Sequence, residues 1–591
     1  MNRIVSNSHF KFSSDIIMPK RIFKDLLFLM IITFFFNGCG KIPMEHKADL
    51  VLRNGTIATF EDSLPIAQAL AIKDGKIIFV GSNQDVGKYI SSTTNIIDLN
   101  GKFVMPGFND SHAHFLGLGE SLLNIDLRNA KNWNEVISIV QEAAKNSKPG
   151  EWIIGRGWHQ EKFSPAPNPN VNGYPIHDEL SKVTPNNPVM LSHASGHAIF
   201  ANEYAMKLAG ISKQTKNPEG GTIVKDNNGN PIGVFEENAE NLIRKFYDEY
   251  LSKRTEEEKL NHYKKVIKLA GDECLKKGIT SCSDAGQTFD VIDILKKYAD
   301  ENLLPVRLNV MIGDSYENMK TNLNKYKLIG YGNNFLTVRS IKQYIDGALG
   351  SRGAWLLNPY NDLPKSTGSN VTPINELKKI AELAIQKDFQ MRIHAIGDKG
   401  NREVLNLYED IFNQYPNKKD LRWCIEHAQH LSNEDIPRFA KLGVIAAMQS
   451  VHCTSDMNFV PIRLGNQRAE EGAYVWRKLI DSGAIICNGT DAPVEDINPI
   501  ECFYSAVTRK NKEGKTFYPL QKMTRLEALK SYTINSAYAS FEEKIKGTIK
   551  KDKLADVIVL SNNLLTCDEE KIPDTKVLYT ILNGKIVYEA K

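Results

Sequence analysis

What this 591-residue chain lacks narrows its class before any motif is read. It has no C-x-x-C pair, and its eight cysteines are scattered. With Cys39 set aside, seven remain, an odd number lying mostly inside apolar runs. That pattern excludes a disulfide framework and a zinc knuckle as organising devices. No basic patch stands out and the formal net charge is only +4, so no nucleic-acid partner is expected. There is no internal repeat and no low-complexity tract. At 42% hydrophobic and 24% charged residues, the composition is that of a globular protein rather than a disordered one. The length allows more than one domain and a sizeable core. The most apolar stretch near the start, residues 26–36, is too short for a comfortable membrane span.

That stretch follows the basic residues Lys20, Arg21 and Lys24 and ends in Phe36-Asn37-Gly38-Cys39. A basic flank, an apolar core and a small residue before cysteine resemble a bacterial lipoprotein signal. Residues 1–39 are therefore expected to be a signal peptide whose removal leaves Cys39 lipidated. The barrel described below is then exported and anchored to a membrane. Phe36 and Asn37 depart from the usual pattern, and an ordinary secretory signal or an uncleaved anchor stays open. Met18 reads as the better start site, which would make residues 1–17 a start-site artefact.

After the signal, residues 49–60 and 69–81 read as short strands with turns at Asn54-Gly55 and Asp74-Gly75. The far end mirrors them, with strands at 555–560 and 577–588 and a turn at Asn583-Gly584. One small β-sandwich assembled from both chain ends, 48–103 with 545–591, is expected. Between them, strand-like stretches at 104–111, 279–284, 306–312, 336–345, 389–394, 421–427, 444–449 and 484–490 alternate with helical patterns. Eight such units predict an α/β fold, a (β/α)8 TIM-like barrel over 104–544. The interval after the first strand is too long for one crossover. Residues 150–245, rich in Pro, Asn and Gly, read as an inserted subdomain on the loop side.

The stretch FVMPGFNDSHAHF closes the first of these strands. Residues two apart on a strand share a face, so His112 and His114 aim at one point. The C-terminal ends of later strands supply Lys342, His394, His427 and Asp491. In a barrel these ends converge on the active site. Neutral imidazoles and a carboxylate suit a divalent metal, zinc by donor type. Lysine is the odd member, because an ammonium repels a cation. A carboxylated Lys342 would instead present two oxygens.

This order of H-x-H, Lys, His, His and Asp on eight strands resembles the amidohydrolase superfamily. The wording "MPGFNDSHAHF", "SGHAIFANEYAMKLAGI", "IKQYIDGALGSRGAWL", "IHAIGDKGNREVL", "EHAQHL", "MQSVHCTSDM", "NGTDAPVEDINP" and "GTIKKDKLADVIVL" narrows it. It is similar to the branch that contains N-substituted formamide deformylase, of metal-dependent amidohydrolase 3 type, from about residue 48 to the C-terminus. The resemblance implies that His112 and His114 bind the more buried metal and that Lys342 is the carboxylated position. It places His394 and His427 on a second ion and makes Asp491 the ligand that also shuttles the proton. One or two ions, and an unmodified Lys342, stay open.

The implied reaction is hydrolysis of a C–N bond other than a peptide bond, in an amide or N-substituted formamide-like small molecule. Metal-bound hydroxide attacks the carbonyl and Asp491 moves the proton. Candidate substrate-binding residues are His197 in the insertion, His452 after the seventh strand, Asp346 and Arg352 after the fourth, and Trp158. Hydrolysis or deamination of another group, a metal-dependent isomerase or dehydratase, and a ligand-binding surface lipoprotein without turnover are the competing readings. A homo-oligomer is compatible with the sequence, and its size is not legible.

Overall fold

The structure is a computed structural model that describes residues 47–194, 198–218 and 221–591. The expected signal with Cys39, and His197, lie outside them. At the centre stand eight parallel strands: β1 Phe108–Ala113, β2 Ile279–Gln287, β3 Arg307–Ile312, β4 Leu336–Tyr344, β5 Gln390–Ala395, β6 Cys424–His427, β7 Ile445–Met448 and β8 Ile486–Asn488. Each pairs in parallel with the next, from β1 round to β8. β1, β3, β6, β7 and β8 are buried along their whole length, as expected of parallel strands covered on both faces.

The seam between β8 and β1 is closed beyond the end of β8. Asp491 N donates to His112 O at 2.8 Å, and His114 N donates to Ala492 O at 2.7 Å. The fully buried Asp110 carboxylate accepts from Thr490 Oγ1 at 2.6 Å and from the N–H groups of Thr490 and His112. Gly489 is required here. A Cβ at that position would lie 2.5 Å from His112 N and 2.7 Å from Asp110 Oδ1.

The sequence predicts one strand over 104–111, but the chain divides it. Phe103–Pro106 pairs with Val557–Leu560 and Thr56–Ala58, and β1 starts at Phe108. The break is Gly107, where a Cβ would fall 2.2 Å from Thr280 Oγ1. A continuous apolar run does not distinguish one buried strand from two that serve different sheets.

Both chain ends build the smaller unit. A six-stranded sheet runs from Lys585–Glu589 through Val577–Leu582, Val557–Leu560, Phe103–Pro106 and Thr56–Ala58 to Ile66–Ala67. It faces a four-stranded sheet of Lys76–Gly81, Ala69–Lys73, Leu50–Arg53 and Asn95–Asp98. Leu52, Ile57, Leu70, Val104, Val557 and Ile581 fill the space between. Asp74-Gly75 and Asn583-Gly584 take the paired left-handed conformation that a tight hairpin needs. This unit meets the barrel at the N-terminal ends of its first three strands. There Arg307 at the start of β3 forms two buried bonds to Asp556, at 2.7 and 2.9 Å.

After β1, helix α1 (Phe115–Leu123) leads into the insertion. Its sheet runs in the order Gly221–Lys225, Pro231–Glu237, Ala198–Ala201, Val189–His193, Ile153–Trp158 and Ile125–Asp126. Trp133, Trp158, Leu191, Phe200 and Val234 pack as its core.

Candidate metal centre

His112 is fully buried at the end of β1, whereas His114 is past the strand end and a third exposed. Their rings stand edge-on with centroids 5.7 Å apart. Both Nε2 atoms reach one carboxylate oxygen, Asp491 Oδ1, at 3.5 and 3.4 Å. Asp491 itself is held at a left-handed φ of 59° by the closing seam. His427, at the end of β6, is also left-handed at φ 74°. Non-glycine residues in this region carry strain that the surrounding structure must sustain. Its ring lies 4.7 Å from that of His112 and 4.5 Å from that of His394.

Ligand atoms of His112, His427 and Asp491 all fall within 4.8 Å of one another. The expected split, with His427 and His394 on a separate second ion, is therefore not the tightest grouping: His427 joins His112 and Asp491. His394 is adjacent, with an Nε2 that has no hydrogen-bond partner and lies 3.6 Å from Asp346 Oδ1. Lys342, on β4, is buried with an Nζ that also lacks a partner. Burial brings its ammonium down to about 8, against the pull of Glu426 and Asp491.

A metal fits this set on the chemistry of its donors. Buried polar nitrogens are normally hydrogen-bonded, yet His112 Nε2, His394 Nε2 and Lys342 Nζ are left without a hydrogen-bond partner. Two of the imidazoles are also oriented from behind. His427 Nδ1 donates to Gln449 Oε1 at 2.7 Å, and Gln449 Nε2 donates to Ala447 O, which sets the amide the right way round. His112 Nδ1 meets Glu426 Oε2 in a short bond. Glu426 is wholly buried and bonded by the equally buried Arg392 at 2.5 Å, and Arg392 also holds Ser111 O at 3.0 Å. Burial works against the Glu426 charge, but Arg392 and then His112 outweigh it and hold the carboxyl at about 2. In both histidines the tautomer is set so that Nε2 faces inward.

The second oxygen of Asp491 points elsewhere. Asp491 Oδ2 lies 3.2 Å from His452 Nε2, and His452 Nδ1 lies 3.4 Å from Glu495 Oε1. Burial opposes charge on this imidazole, but the two carboxylates outweigh it and raise it well above the usual histidine range.

The remaining candidates are less central. Asp346 is saturated by the N–H groups of Ile396, Trp355 and Gly397 at 2.8–2.9 Å. It clamps the loop after β5 rather than offering a free carboxylate. Arg352 donates to Asp362 at 2.6 Å, and Arg463 shares that acid. Trp158 does not line an opening: it is fully buried, and its Nε1 donates to Leu191 O at 2.9 Å. Glu426, Arg392, Gln449 and Glu495 were missed by the sequence reading. Glu426, Gln449 and Glu495 left a trace as members of the stretches EHAQHL, MQSVHCTSDM and NGTDAPVEDINP, whereas Arg392 left none.

Comparison with known proteins accords with this geometry. The amidohydrolase family matches residues 95–588. Protein LONG AFTER FAR-RED 3 of Arabidopsis thaliana is 32% identical, with 92% of each chain covered. N-substituted formamide deformylase of Arthrobacter pascens is 26% identical over 92% of this chain and 99% of its own. Among solved structures, an uncharacterized metal-dependent hydrolase from Pyrococcus horikoshii superposes with a TM-score of 0.73 at 28% identity. It covers 88% of this chain and 99% of its own. With a barrel whose strand ends converge on an imidazole and carboxylate cluster, and with a family match across most of its length, the chain belongs to the amidohydrolase family.

Proposed function

We propose that the protein hydrolyses a C–N bond in an amide or N-substituted formamide-like small molecule. The observation that carries this is the divided use of Asp491: Oδ1 faces the imidazoles of His112 and His114 while Oδ2 faces His452. A ligand-binding protein has no need of that second contact. His112, His427 and Asp491 would hold a divalent ion, zinc by donor type, with His114, His394 and Lys342 at hand for a second. When bound, such an ion acidifies water and polarises a carbonyl oxygen.

Asp491 takes the proton of the attacking water as the new C–O bond forms. It returns that proton to nitrogen as the C–N bond breaks. His452, braced by Glu495, keeps the Asp491 carboxylate turned toward the reacting centre. Lys342 reacts with carbon dioxide through its unpaired Nζ, losing a proton to give a carbamate. A mass gain of one carbon dioxide on the native chain checks this, and an unmodified mass recasts Lys342 as a substrate contact.

The test of the reaction is metal content per chain together with turnover on a panel of amides and N-substituted formamides. Asp491→Asn should lower turnover by roughly 10²–10⁴-fold with metal still bound. Turnover that survives in a metal-loaded Asp491→Asn protein removes the proton role. As a separate proposal, Cys39 carries a lipid that anchors the chain. Fatty-acid labelling should vanish in Cys39→Ser, and labelling that persists there rules the anchor out.

A further inference from the structure

Arg156 stands in the insertion strand Ile153–Trp158, between Gly155 and Gly157. The neighbouring parallel strand sets Asp126 opposite it in register. Two residues on, Arg128 folds back on Asp126 and binds it with both nitrogens, at 2.9 and 2.8 Å. Gly157, at φ 104°, lets the Arg128 stem lie against this backbone, because a Cβ there would come within 2.5 Å of Arg128 Cγ. Asp126, the acid set opposite Arg156, is thus consumed by Arg128. Arg156 is left half-buried beside a second guanidinium, and among the described residues no acid pairs with it. Partial burial of a cation is costly without a partner, and a like charge alongside adds to the cost.

Both sides of Arg156 open on space. On one side is a cavity of about 180 Å³. Ser121 and Asn124 from the end of α1 offer it polar groups, and Pro493 and Val494 form its far wall. These last two lie two and three residues after Asp491 in the chain, so the cavity abuts the loop that carries the proposed proton shuttle. On the other side lies a cavity of about 300 Å³ whose acid, Glu120, is already bonded to His262 at 2.6 Å. Among the described residues, neither cavity supplies a free negative group.

We propose that Arg156, with Arg128 beside it, binds an anionic group of the substrate, a carboxylate or a phosphate ester. The planar guanidinium matches either group with two parallel bonds. The hydrolysed molecule would then be an N-acyl or N-formyl compound with an acidic end held in the insertion and its C–N bond at the strand ends. This rests on the proposed hydrolysis for its reaction and on the cavity alone for its charge.

The experiment has a binding arm and a kinetic arm, both on the full-length, metal-loaded chain. Acetate and inorganic phosphate are titrated by calorimetry into wild type, Arg156→Gln and Arg156→Lys. At least one anion should bind about tenfold more weakly to Arg156→Gln, with part of the loss restored by Arg156→Lys. Whichever anion shows the dependence identifies the group. Equal affinities in wild type and Arg156→Gln for both anions overturn the proposal. In the kinetic arm, N-formylglycine is compared with N-formylglycinamide. Arg156→Gln should raise KM for the acid at least about tenfold more than for the amide, and equal changes overturn it. Anion binding that depends on Arg156 without cleavage of either compound keeps the anion site and discards the C–N hydrolysis.

Discussion

At the scale of the residue, the members of the candidate cluster were legible and the groups that orient them were not. His112, His114, His394, His427 and Asp491 can be read from the sequence because each lies at or just past the C-terminal end of a strand, and strand ends of a barrel converge. Glu426 cannot be read that way. Its meaning is a bond to an imidazole 314 positions earlier, and an acid before a histidine says nothing about which ring it will meet. Trp158 failed for the opposite reason: an aromatic in a glycine-rich stretch suits an opening or a core equally well, and its indole N–H found a backbone partner. The orienting carboxylate carries its own prediction. Glu426→Gln keeps the shape but offers Arg392 and His112 a neutral amide, so metal affinity should fall by about 10–100-fold. Competition with a chelating dye measures this without reference to turnover. Unchanged affinity in Glu426→Gln would mean that the ring of His112 is held by packing alone.

At the scale of the element, the alternation of strands and helices was enough for the barrel, yet neither its first strand nor its seam was. The apolar run before His112 serves two sheets, and the switch lies in Gly107, whose need for a bare Cα shows only once Thr280 is beside it. The seam is similar. β8 is short, and closure falls to Thr490, Asp491 and Ala492 bonding to Asp110, His112 and His114. Three residues of the candidate metal cluster, His112, His114 and Asp491, are therefore also staples of the barrel. Gly489→Ala would press a methyl group into His112 and Asp110, and the cost should be about 1–3 kcal/mol. Urea unfolding should show this loss along with lowered metal occupancy. A Gly489→Ala protein with wild-type stability would mean that the seam can move aside.

At the scale of the whole molecule, the two chain ends could be read as strands, but not where their sandwich would dock. The joint turns on Arg307 and Asp556, both buried and doubly bonded, with Asn583 N donating to the same acid at 2.9 Å. Asp556→Asn strands a buried guanidinium, and breaking such a pair costs about 3–5 kcal/mol. Chemical denaturation should show one transition moved to lower denaturant, whereas two separate transitions would mean that the joint is dispensable to each unit. Its position has a further consequence. Lys47, near the start of the described chain, and Lys591 at its end belong to this sandwich, which grips the barrel at the strand ends opposite the imidazole cluster. A molecule held on a surface by either end would present its catalytic mouth outward to the passing solution. Capture on beads through a terminal tag should therefore cost little turnover.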